Sequence, residues 1–215
     1  MGDPDLKLYH FPKACSRVSV CALEMAEVPY TVEVVNLLQR AQLDPAYQTL
    51  SPFGKVPVML VDGQPLIENS GIIALVAALR PSAVVFPATP SPRMVGEIAS
   101  GMSICVGTLH PLVRGLAHPE RVTSGEREPV KTKSRELLSK VFDYVERKLE
   151  ERDWWLGQPS IIDVYVDWIV MVAQYGGYSV DNYPRLQGLE TRLGALPGYR
   201  KMQEKEQALW TRVTA

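Results

Sequence analysis

LIENSGIIALVA, residues 66–77, decides how this chain is read, together with Val56-Pro57 just before it. An apolar run, VPVMLVDG, turns at Asp62-Gly63 and leads through Glu68-Asn69-Ser70 into an apolar stretch of helical character. Ser70 stands where a helix N-cap is expected. A helix start presents unpaired N–H groups and the positive end of the helix dipole, so it suits an anion such as the free carboxylate of a small peptide. Val56-Pro57 supplies a second element. With a cis bond before the proline, the turn would offer the N–H and C=O of Val56 to another extended backbone, in the manner of strand addition. Taken singly, a serine before a helix is usually a cap, and Val-Pro in a strand usually marks an edge.

Reading outward, Leu6 to Phe11 alternates as a strand does, and Pro12-Lys13-Ala14 breaks it. A helix is expected from Ser16 to Ala26, with Val18, Cys21, Ala22 and Met25 at helical spacing. Tyr30 to Leu37 reads as a second strand and Leu43 to Leu50 as a short helix. Val56 to Val61 and Pro65 to Ile67 pair across the Asp62-Gly63 turn, and Ser70 to Leu79 is the third helix. The order β-α-β-α-β-β-α predicts a parallel first βαβ unit and a closing antiparallel hairpin. That gives an α/β domain over 1–81, a proline-rich linker over 82–92 and an all-α domain over 93–215. The expected helices there are Arg93 to Gly115, Arg127 to Arg152, Ile161 to Tyr175, Tyr183 to Leu196 and Gly198 to Val213. Ile161 to Tyr175 is the most apolar and is expected at the centre. Ser160-Ile161-Ile162-Asp163 has the form of a capping box, a folding feature.

With 23 basic and 24 acidic residues, the chain has a net charge of -1 and no Lys/Arg stripe that would suit nucleic acid. No apolar run reaches bilayer length, and MGDPDLKLYHF is not a signal peptide, so no membrane partner is expected. Three cysteines, Cys15, Cys21 and Cys105, show no metal-type spacing. Their sparse, odd count points to a reducing cytoplasm. His10, His110 and His118 lack partners for a metal site, and none is expected.

Cys15 and Ser16 fall between the first strand and the first helix, where the dipole would favour a thiolate. Cys15 is followed by Ser16-Arg17-Val18, so there is no Cys-x-x-Cys and a dithiol oxidoreductase is disfavoured. A small residue packed at a turn explains Cys15 about as well. Cys21 and Cys105 read as core residues. His110, within LHPLVR and before Pro111, is either a local hydrogen-bonding group or a cleft residue.

YHFPKACSRVSVCALE, SPFGKVPVML, LIENSGIIALVAAL and WWLGQPSIIDVYVDW, in this order, resemble the cytosolic glutathione S-transferases over nearly the full length. ACS and LHPLV look most like the bacterial beta class. Asn69-Ser70 departs from the more common pair of an acidic residue or glutamine followed by serine. The resemblance implies a thioredoxin-like N-terminal domain that binds glutathione, plus an all-α C-terminal domain. Val56 would pair with the cysteinyl backbone, and Pro57 would be the cis proline. Asn69 and Ser70 would hold the γ-glutamyl end, and Cys15 or Ser16 would lie by the glutathione sulfur. His110 would join the cleft. The implied partners are a small hydrophobic electrophile and a second copy of the chain in a homodimer. The implied chemistry is thiolate attack, by conjugation or by reductive removal of a halide or aryl ether. The alternatives are a thiol transferase or peroxidase working through a Cys15 mixed disulfide, and a non-catalytic binder of glutathione or other ligands.

Overall fold

The computed structural model describes residues 2–81 and 85–214, so part of the expected linker, residues 82–84, lies outside the described residues. The chain divides into two compact units, Met1–Ala88 with Ala195–Ala215, and Thr89–Gly194. The sequence reading assigned everything after the linker to one helical domain. The last helix instead packs with the first unit.

In the first unit the strands β1 (Leu6–His10), β2 (Thr31–Val34), β3 (Val58–Val61) and β4 (Gln64–Ile67) form one sheet in the order β2-β1-β3-β4. The β1–β2 pair is parallel, from Lys7 opposite Thr31 to His10 opposite Val34, with α1 (Arg17–Met25) between the two strands in sequence. The β1–β3 and β3–β4 pairs are antiparallel. Asp62 and Gly63 both have positive φ, 49° and 80°, which suits a two-residue hairpin whose twist matches the strands. This is the expected thioredoxin-like arrangement.

Three strands are shorter than predicted, β1 by one residue and β2 and β3 by more. After Val34 the chain leaves the sheet, because the Asn36 side chain accepts from Leu38 N and Gln39 N and winds a 3-10 turn over Leu37–Gln39. The helix expected over 43–50 shrinks to α2 (Pro45–Gln48), which starts where Asp44 accepts from Ala46 N. β3 begins at Val58, so Val56-Pro57 lies outside the ladder.

The helix α3 runs over Asn69–Leu79, and α10 (Pro197–Thr214) packs along α1. Gly198 permits that contact. A Cβ there would stand 2.6 Å from the Met25 Cα, closer than any side chain could sit against backbone.

The second unit holds α4 (Pro92–Ser103), α5 (His110–Ala117), α6 (Glu128–Arg152), α7 (Ile161–Tyr175), α8 (Pro184–Gln187) and α9 (Leu189–Leu193). The single helix predicted over 93–115 is interrupted by a π turn, Ile104–Leu109. Pro111 has no N–H to give to the helical ladder, and the backbone just ahead of it is wound wider. Among the residues of α7, Ile161 to Val170 are buried throughout. Its start carries the expected capping box. Asp163 accepts from Ser160 N at 2.9 Å, from Ser160 Oγ at 2.8 Å and from Trp155 N at 2.7 Å. Among the described residues no helix is long and apolar enough to cross a membrane.

Candidate functional site

The first unit brings Cys15, Val56 and Asn69 together at the ends of β1, β3 and α3. The Cys15 thiol, half-buried at the turn before α1, donates to the Val56 carbonyl at 3.4 Å. The Val56–Pro57 peptide is cis, as expected. The loop leading into it is held from behind. Ser51 Oγ accepts from Lys55 N at 3.0 Å and donates to Lys55 O at 2.8 Å, while Tyr47 donates its hydroxyl to the same carbonyl at 2.7 Å. Ser51 and Tyr47 carried no sequence signal, because their partner is backbone.

Two predicted residues have different positions from those expected. The α3 helix starts one residue early, so Glu68 is its N-cap, with φ at 71°, and Ser70 sits inside the first turn on the exposed surface. Among the described residues no side chain caps its start. Its first amides therefore depend on water or a ligand for partners. The acidic residue at the mouth of the helix is Glu68, whose side chain is exposed. Asn69, by contrast, is buried. Its Oδ1 accepts from Ser19 Oγ at 2.7 Å and its Nδ2 donates to the Cys15 carbonyl at 3.1 Å. The amide that was expected to hold a ligand instead ties α3 to the turn carrying Cys15.

Ser16 is also corrected. It is fully buried, with Oγ 2.8 Å from His10 Nδ1 and accepting from Phe11 N at 3.3 Å. The hydroxyl is committed to the inside of the turn, whereas Cys15 beside it is half-buried. Cys21 and Cys105 are buried core residues. Burial pushes the Cys105 thiol well above its ordinary value.

His110 belongs to the second unit and opens α5. Its Nδ1 lies 3.1 Å from the Tyr165 hydroxyl, and its ring meets Trp168 edge-on at 4.6 Å. Among the described residues there is no group of three or more side chains fit to hold a metal ion.

Residues 14–79 match the family model described as the N-terminal domain of glutathione S-transferase. The chain is 26% identical over 209 residues to a maleylacetoacetate isomerase of Pseudomonas aeruginosa, covering 94% of this chain and 97% of that one. It is 27% identical over 195 residues to the glutathione S-transferase GST-4.5 of Xanthomonas campestris, covering 87% and 92%. Among solved structures, a glutathione transferase homolog from Sulfitobacter, with bound glutathione, superimposes with a TM-score of 0.85 at 23% identity, covering 94% and 98%. At that identity the likeness shows a shared fold.

Proposed function

We propose that this enzyme, whose residues 14–79 form a glutathione S-transferase N-terminal domain, binds glutathione across Val56 and the start of α3 and attacks a small electrophile with its thiolate. The observation that carries this reading is the Cys15 thiol held against the Val56 carbonyl beside a helix start that no side chain caps. Val56 lies outside the ladder, so its backbone can align an extended peptide. The first amides of α3, with the Ser70 hydroxyl, suit the γ-glutamyl carboxylate, and the Glu68 carboxylate suits the neighbouring ammonium group. Cys15, at the first turn before α1, would donate to the glutathione sulfur and favour the thiolate. Asn69 serves by positioning Cys15.

A second reading follows from the relative named an isomerase. A thiolate can add to an activated double bond, allow rotation about the resulting single bond, and leave again. Such a cycle changes alkene geometry and consumes no glutathione. Conjugation consumes one glutathione per turnover, whereas reductive dehalogenation, a two-electron reduction, consumes two and releases glutathione disulfide. Assays of halogenated aromatics and of cis-unsaturated diacids, with glutathione counted before and after, separate the two. No turnover of either class, with glutathione bound, would favour a ligand-binding role. Glutathione trapped as a disulfide on Cys15 would favour the redox alternative. The beta-class assignment, the cytoplasmic location and the homodimer belong to the same proposal. A monomer mass in light scattering at micromolar concentration would refute the dimer.

A further inference from the structure

Glu206 carried no sequence signal, yet α10 buries its carboxylate under the turn that presents Cys15. Its Oε1 accepts from the Lys13 backbone N–H at 2.9 Å, and its Oε2 stands 3.1 Å from Arg17 Nε. His10 Nε2 lies 3.7 Å from Oε1, and the same ring reaches Ser16 through Nδ1. One turn further along α10, Trp210 meets Phe11 edge-on and lies under the Lys13 ammonium, 4.0 Å from its ring centre. We propose that Glu206 is the positioning residue for Cys15, fixing the Phe11–Arg17 turn and setting the charge around its thiol.

Three physical points support this. Lys13 has φ at 66°, a conformation that a non-glycine residue holds only when its surroundings impose it. The carboxylate that takes the Lys13 N–H supplies that constraint. Burying Glu206 and Arg17 together is costly, and apolar residues would fill the space more cheaply, so the pair fits a role in geometry better than one in stability. The neutral His10 completes the chain. With its Nε2 facing a carboxylate, the proton belongs on Nε2, and Nδ1 accepts from Ser16. Among the described residues, the charged or titratable groups facing this cluster include His10 from β1, Lys13 and Arg17 from the turn and α1, and Lys205 from α10 itself. Tyr47 faces Cys15 from α2.

The proposal rests on reading Cys15 as the residue that stabilises the thiolate, and its test keeps the two apart. Iodoacetamide alkylation of the native protein is followed against pH, with and without glutathione. Cys21 and Cys105 are fully buried, so the label reports on Cys15. In Glu206→Gln the amide oxygen still accepts from Lys13, but the negative charge beside Arg17 is removed. The alkylation midpoint should fall by about half to one pH unit, with protection by glutathione retained. In Glu206→Ala the turn also loosens, and protection should weaken about tenfold or more. A wild-type midpoint in Glu206→Gln, or wild-type protection in a folded Glu206→Ala, overturns the proposal. If Glu206→Ala does not fold, Glu206→Gln decides alone. A shifted midpoint in a protein that glutathione never protects would uphold the positioning role and remove the glutathione reading.

Discussion

The thiol of Cys15 lies 3.4 Å from the carbonyl oxygen of Val56, across 41 residues of sequence. Asn69 takes the carbonyl of the same cysteine at 3.1 Å from 54 residues away. Three chain segments thus converge on one half-buried cysteine, through side chains and loop backbone.

Asn69 should behave as a brace. Asn69→Ala leaves the buried Ser19 hydroxyl without its acceptor and frees the Cys15 carbonyl. The expected loss is about 2 kcal/mol, or roughly 4–8 °C in Tm for a chain of this size. Turnover should fall with it, because Cys15 is no longer held. A thermal melt and an activity assay on the same preparation check both. An unchanged Tm would mean that the buried hydrogen bonds contribute nothing.

Cys15 and Ser16, adjacent in sequence, should separate cleanly. Cys15→Ala should alter turnover or the thiol pKa of bound glutathione while leaving Tm within about 1 °C. Ser16→Ala should chiefly lower Tm, since its hydroxyl is buried against His10 and Phe11. Loss of activity in Ser16→Ala at full stability would reverse the assignment.

Much of this architecture was legible because it is written locally. Alternation marked β1, the Asp62-Gly63 pair marked the hairpin, and Ser160 with Asp163 marked the start of α7. What escaped the sequence depends on long-range contact. Nothing in residues 195–215 says that they pack on α1, where Gly198 allows the close approach to Met25. Nothing about Asn69 says that its amide turns inward, because a cap position suits a ligand and a brace equally well. Glu206 reads as one charge on an amphipathic helix until α10 is seen to bury it.

His10 gives a pH dependence with a defined sign. Burial first, then the nearby Arg17 charge, holds its imidazole down to about 3, against an ordinary value of 6.5. As pH falls from about 6.5 toward 3, the unfolded chain takes up the proton and the folded one does not, so stability is lost over that window. Asp163 acts the other way. Burial raises its carboxyl to about 6 from 3.8, so between those values the folded state binds the extra proton and stability rises as pH falls. Comparing wild type with His10→Gln isolates the first effect. Tm of the variant should fall less between pH 6.5 and pH 4 than Tm of wild type. Parallel curves would rule out a neutral buried His10 as a source of acid lability.

A catalytic role for His110 is proposed from the resemblance alone, and within its own unit Tyr165 and Trp168 orient its ring. His110→Ala at unchanged Tm should lower kcat by about tenfold or more while changing glutathione affinity by less than about threefold. Tyr165→Phe, which removes only the hydrogen bond to Nδ1, should fall between wild type and His110→Ala. Wild-type turnover in His110→Ala, with the same pH profile, would leave His110 a structural residue.

Calorimetric titration of glutathione into the wild-type protein and into Ser70→Ala tests the central claim most directly. Saturable binding at one site per chain is expected, weakened in the variant by about 1–2 kcal/mol, roughly five- to thirtyfold in Kd. The variant keeps its backbone N–H, so binding should weaken rather than vanish. Wild-type protein that takes up no glutathione, or Ser70→Ala with the wild-type Kd, would contradict the site at the start of α3.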